Sequence, residues 1–144
     1  MKFTAHEFLG ARHSLKPISM SSATPENGDA VRKGDQREAA ILADIGTVAS
    51  TGTLAMKVQE TPDDGAGAPV SGSWADVDGA AFAIVAADAG KLFVGSLDLT
   101  QRKEWLRLVR VADGTNAVLS AGLIVLLDGP RPQTPTNTLE FDIR

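Results

Sequence analysis

From Glu38 onward the chain places apolar side chains at every second position in short runs, and turn residues separate the runs. In Thr53–Glu60, Leu54, Met56 and Val58 leave one face of a pleated strand while Lys57 and Gln59 leave the other. Trp105–Val111 repeats the pattern, with Leu106 and Leu108 alternating against Trp105, Arg107 and Val109. Runs of this kind predict strands near 38–46, 53–60, 72–77, 81–86, 91–97, 104–112 and 117–127. That number and spacing of strands predict an all-β fold, an antiparallel β-sandwich of jelly-roll-like form. Ala80–Ala89 also fits a short helix, because it is rich in alanine. Ala117–Leu127 sets apolar residues on both alternating faces, so it predicts either the central strand of the core or a strand with one face buried by another subunit. Leu54, Met56, Val58, Leu106, Leu108, Val118, Leu123 and Val125 are the expected core, mostly buried in the monomer or its oligomer.

The two ends read differently from this body, which spans 37–129. Within residues 1–36, Ser14–Asp35 has only Leu15, Ile18, Met20 and Val31 as aliphatic or methionine side chains outside its alanines, with an Asn27-Gly28 turn pair and two prolines, Pro17 and Pro25. Such a composition does not close a core alone, and it predicts an extended N-terminal arm with a helical turn around His6–Arg12. Residues 130–144 predict a second arm. Pro130, Pro132 and Pro135 exclude a central strand or helix there, and Leu139–Arg144 then alternates apolar and charged side chains as an edge strand would.

At 144 residues the chain is long enough for one domain that buries roughly two-thirds of its unfolded surface. It has no cysteine, so neither disulfides nor thiolate metal sites contribute. Its longest strongly apolar stretch, 121–127, is far short of the roughly 20 residues of a membrane helix, and no membrane partner is expected. Glu7 and His6 stand where a secretory signal has its apolar core, which predicts a protein made and used in the cytosol or released by lysis. The net charge of −4 is concentrated in the body, where 6 basic residues face 12 acidic ones over 38–129. An acidic body predicts no nucleic-acid binding.

Carboxylates are the abundant reactive groups. Asp76 and Asp78 would share one side of a strand, close enough for a cation or a glycosidase pair, but position 87 is alanine where a calcium loop needs its final glutamate. Solvated aspartates at a glycine turn are the simpler expectation. Asp63-Asp64-Gly65-Ala-Gly67 lacks the Gly-Lys-Ser/Thr of a phosphate loop and reads as a turn. Both histidines, His6 and His13, lie in the leader, and no Gly-x-Ser-x-Gly elbow is present. The pattern predicts a non-enzymatic protein without a cofactor. Trp74 and Trp105 could stack on a sugar, or pack at a sheet edge or subunit contact. Arg102, Lys103, Arg107 and Arg110 form an anion patch, a strand face paired with local carboxylates, or an interface rim.

The order of segments adds a resemblance. Gly52–Glu60, the Asp-Asp-Gly turn, Trp74-Ala-Asp-Val-Asp-Gly, Lys103–Val111 and Ala117–Pro132 together resemble the capsid decoration, or cement, proteins of tailed bacteriophages, over about 38–132. The resemblance implies a β-sandwich on the outer surface of the virion capsid, made in the host cytoplasm, bound to the major capsid protein and commonly trimeric. The long leader of residues 1–36 departs from the family's pattern and is itself the expected attachment device, and Trp105, Arg107, Leu123, Val125, Leu139, Phe141 and Ile143 are the expected interface residues. A tail or head-completion protein and a carbohydrate-binding module are the alternatives.

Overall fold

The computed structural model describes the backbone of residues 9–127 and 141–143 and the side chains of 12–127. Two antiparallel sheets pack face to face. Sheet A has the order β1 (Leu9–Met20), β9 (Val118–Leu127), β4 (Glu38–Val48), β7 (Leu92–Asp98), β10 (Phe141–Ile143). Sheet B has the order β2 (Glu26–Asn27), β8 (Trp105–Ala112), β5 (Leu54–Thr61), β6 (Ala75–Ile84), and β3 (Val31–Arg32) continues the β2 side by pairing with β8. With β2 and β3 counted as one interrupted strand, this is the strand order of a jelly roll. The antiparallel sandwich expected from the alternation is therefore the fold.

The alternating runs form strands because one parity of each can be buried between the sheets. Leu54, Met56 and Val58 of β5 meet Leu106 and Leu108 of β8 and Ile41, Ile45 and Ile124 of sheet A in one continuous core. Deep burial of such side chains supplies about 1.5–3 kcal/mol each. Gly122 of β9 leaves room where the sheets come closest. A Cβ there would stand 2.6 Å from Leu108 Cδ1 and 3.2 Å from Met56 Sδ.

Three expectations are corrected. First, the leader is not an arm: β1 pairs antiparallel with β9 from Leu9↔Leu127 to Met20↔Val118, and no helical turn occupies 9–12. Leu15 is 1% exposed, and Met20 and Val31 are buried. The sandwich therefore begins well before residue 37. A strand with little apolar content is held here because its backbone completes the ladder of a strongly apolar neighbour. Second, the runs at 72–77 and 81–86 are one strand, β6. Its register slips between Gln59↔Asp76 and Lys57↔Ala81, so a bulge holds Asp78 and Gly79, and Gly79 takes φ 74°. Only a single 3-10 turn, Ala86–Asp88, follows, and Gly90 at φ 74° stops it. Third, Leu123 and Val125 are not core residues. In β9 the even positions Val118, Ser120, Ile124 and Leu126 face inward, whereas Leu119, Leu123, Val125 and Leu127 are only partly buried.

At the other end, β10 occupies an edge of sheet A, as the alternation predicted, and it pairs parallel to β7. Leu139 lies outside the described residues.

Candidate interaction surfaces

Each sheet has an outer face, and the two faces differ in chemistry. On sheet B, Trp105 and Arg107 of β8 point outward beside Gln59 of β5 and Asp76 of β6. Arg107 donates to Gln59 Oε1 from Nε and Nη2, at 3.0 and 2.8 Å, and its guanidinium lies 4.2 Å from the centre of the Trp74 ring. Partial burial lowers the Arg107 pKa from its ordinary value. Gln59 in turn donates to Asp76 at 2.7 Å, and Lys57 does so at 2.7 Å. These bonds, the Lys57 one first, hold the Asp76 carboxyl below its usual range.

Trp105 sits in a second cluster at the same end of the sheet. Its indole N–H donates to Asp63 at 2.9 Å, and Arg32 lies over its ring at 5.9 Å while bonding Glu104 at 2.7 Å. Asp63 also accepts from Gly65 and Gly67, both at positive φ, and the expected turn results. The Trp105 bond first, then these amides, lowers the Asp63 pKa. So both tryptophans carry an arginine on one ring face, and the polar groups around them already satisfy one another. Asp76 is committed to Lys57 and Gln59 rather than to a pair with Asp78, which occupies the bulge.

The basic cluster proposed from sequence is divided. Arg107 and Arg110 differ by three positions on a strand, so they leave opposite faces. Arg110 follows Leu106 and Leu108 inward and is 0% exposed. Its Nε donates to Glu26 Oε2 at 2.8 Å, Nη1 donates to the Ser120 carbonyl and hydroxyl, and Nη2 donates to the Lys16 carbonyl at 3.0 Å. One side chain of sheet B thus binds two strands of sheet A. Beside it, buried Ser14 accepts from the Leu108 amide at 2.8 Å and donates to the Asp29 carbonyl at 2.9 Å. The two together seal the β1 side of the sandwich. The parity of Arg110 within an apolar row was the sequence signal for this, since an arginine there is buried only with partners.

Sheet A presents an apolar outer face. The register sets Val94, Leu42 and Leu123 side by side across β7, β4 and β9, and Ala40 and Val125 in the next row. All five are partly exposed, and Leu92 at the start of β7 is 59% exposed. An exposed sheet face in a lone antiparallel sandwich alternates to polar, so a shared apolar row across three strands is the departure. Of the expected interface residues, Leu123 and Val125 are brought together here, Trp105 and Arg107 lie on the opposite sheet, and Phe141 and Ile143 belong to β10. Leu42 and Val94 were missed. Each strand read alone gave no sign that they align, because only the register does that.

A cleft of about 420 Å³ opens between the sheets, lined by Arg12, His13, Asp29, Val31, Arg32 and Leu126. Among the described residues no group of three or more histidines and carboxylates is placed to hold a metal ion.

No family model matches the chain, and no curated protein does. Among solved structures, the crystal structure of PirA is similar over 82% of this chain and 93% of its own, with 10% identity and a TM-score of 0.38. A likeness at that level carries no functional argument.

Proposed function

We propose that this chain is a non-enzymatic structural protein of a phage virion, which decorates the capsid's outer surface and bridges subunits of the major capsid protein as a homotrimer. The observation that supports it best is the apolar row Val94–Leu42–Leu123 on the outer face of sheet A, flanked by Ala40 and Val125. Such a face gains free energy when another protein surface covers it, at roughly 25 cal/mol per Å² of apolar area removed from water. Sheet B offers less, because its outward charges are already paired within the chain. The order of segments over 38–132 supplies the resemblance, and the jelly roll is an architecture used by capsid and lectin domains. That last point is analogy at the level of fold.

Attachment then runs through the sandwich face rather than through residues 9–36, which are part of the fold. Cryo-EM of heads carrying the protein tests this: density over every capsomer supports decoration. Density confined to one vertex means a head-completion or tail protein. The double variant Leu123→Glu, Val125→Glu should fold with an unchanged far-UV spectrum yet leave the capsomers bare. Full occupancy by that variant would remove sheet A from the reading.

A further inference from the structure

Where β1 faces the link between β2 and β3, the two sheets are drawn together at one point. Ser14 donates from its hydroxyl to the Asp29 carbonyl at 2.9 Å, and its own carbonyl accepts from the Asp29 amide at 2.7 Å. Gly28 permits the approach, since a Cβ there would stand 2.5 Å from the Ser14 carbonyl oxygen. On the Lys16 side of this clamp the space between the sheets is filled by Arg110 and its carboxylate partner Glu26. On the Arg12 side it stays open as the cleft of about 420 Å³, with Arg12, His13, Asp29 and Arg32 among its lining residues. We propose that this cleft binds a small monocarboxylate with an aliphatic body.

The lining divides by burial. Val31 and Leu126, 6% and 8% exposed, join Ala30 as an apolar floor, while Arg12, His13, Asp29 and Arg32 are exposed around it. An apolar lining with a few converging polar groups, in a volume of this order, is the usual form of a small-molecule site. The floor offers no side-chain hydrogen bond, so it suits an aliphatic body rather than a hydroxylated one. The rim selects the charge. The guanidinium groups of Arg12 and Arg32 stand against the one carboxylate of Asp29, a surplus that a single carboxylate matches and a dianion overshoots.

Arg32 is already oriented for this. Its Nε donates to Glu104 at 2.7 Å, and its guanidinium lies 5.9 Å from the centre of the Trp105 ring. The Glu104 bond uses Nε, which leaves Nη1 and Nη2 to donate to a ligand oxygen. A side chain held in place beforehand loses little freedom on binding. The chain uses the same chemistry across the clamp, where a carboxylate meets the Arg110 guanidinium between the sheets. The cleft is separate from the outer face of sheet A, so it stands or falls independently of the capsid reading.

The probe is isocaproate, titrated into the isotope-labelled full chain and followed by NMR, with isohexanol as its uncharged match. Binding predicts saturable shifts of the Ala30, Val31 and Arg32 amides with a Kd of about 1 mM or tighter, and much weaker shifts with the alcohol. Arg12→Gln and Arg32→Gln should each weaken the acid about tenfold. Ala30→Phe, which fills the cleft, should abolish binding, and Lys91→Gln, beside β7 and three strands from β1, should leave it unchanged. N-acetyl-leucine presents the same carboxylate after a peptide bond: if it binds as well as isocaproate the site takes a peptide C-terminus, and if isocaproate alone binds the site takes a free acid. Acid and alcohol acting alike overturn the proposal, as do shifts that never saturate or undiminished binding by both arginine variants. The acid and the alcohol are compared on the unaltered chain, so that result does not depend on any variant folding.

Discussion

Glu26→Ala should destabilise this protein far more than the loss of an ordinary surface ion pair. Arg110 is 0% exposed, and the Glu26 carboxylate pairs with its Nε at 2.8 Å. Without Glu26 the guanidinium keeps only neutral acceptors, the Ser120 carbonyl and hydroxyl and the Lys16 carbonyl. Removing one partner of a buried pair costs about 3–5 kcal/mol, because a charge is left in a medium that solvates it poorly. The Glu26 side chain is 36% exposed, so water enters the vacated space and reduces the cost. About 2–3 kcal/mol is expected, against 0–1 kcal/mol for an exposed pair. Arg110→Met removes the charge together with its bonds and frees Glu26 to solvent. The double variant should therefore cost less than the sum of the single ones by about 1–2 kcal/mol. Urea denaturation of the four proteins measures the cycle, and hydrogen exchange locates it, since amides of β1 near Lys16 should lose protection first. A Glu26→Ala cost below about 0.5 kcal/mol, or strict additivity, would refute the buried clasp.

Gly122→Ala should cost about 1–3 kcal/mol in urea denaturation, because its Cβ meets Leu108, Met56 and Leu15 at 2.6, 3.2 and 3.3 Å; Leu108→Val beside it should restore part of the loss. Asp113 accepts from the backbone amides of Asn116 and Thr115 and from the Asn116 side chain, which lowers its pKa from 3.8 to about 2. A depressed carboxylate stabilises the fold above its unfolded pKa and loses that contribution as pH falls toward the folded value, so the gap in melting temperature between wild type and Asp113→Asn should close between pH 4 and 2; a gap independent of pH rejects the assignment. Deleting residues 1–20 should abolish cooperative thermal melting, since β1 supplies the ladder to β9 and Leu15 to the core; a truncated chain that melts as sharply as the intact one would mean that β1 is dispensable.

The strands legible in the sequence were those with a single apolar parity. β5 and β8 announce their inward faces through Leu54, Met56, Val58, Leu106 and Leu108, and all five are buried. β9 is apolar on both parities, so its inward face could not be chosen from side chains. It is set by Gly122 and Ser120, which permit close approach and bond Arg110. β1 was illegible for a different reason. It is an edge strand with register shifts around Ser14 and Pro17, its buried apolar side chains among the described residues are Leu15 and Met20, and much of its hold is backbone pairing. Local composition does not record a ladder made with a strand about a hundred positions away. The candidate surface was half legible by the same logic. Leu123 and Val125 stood out as surplus apolar residues, whereas Leu42 and Val94 join them only through the register of β4 and β7.

Incorporating β1 changes how any partner must be held. A leader acting as a tether would have to leave β9, which exposes Leu15 and separates Lys16 from Arg110 and Ser14 from Leu108. Freed, it would also strip the ladder from the edge of β9 and leave an apolar strand open to uncontrolled pairing. Partner contact that leaves the fold intact must instead use surfaces that need no such rearrangement. The outer face of sheet A fits that condition, since the Val94–Leu42–Leu123 row lies ready-made on its strands. If a partner covers this face, charge placed at Val94 or at Leu123 should weaken binding alike, because both flank Leu42 in one row, and a variant at either position that binds as well as wild type would remove the row from the reading.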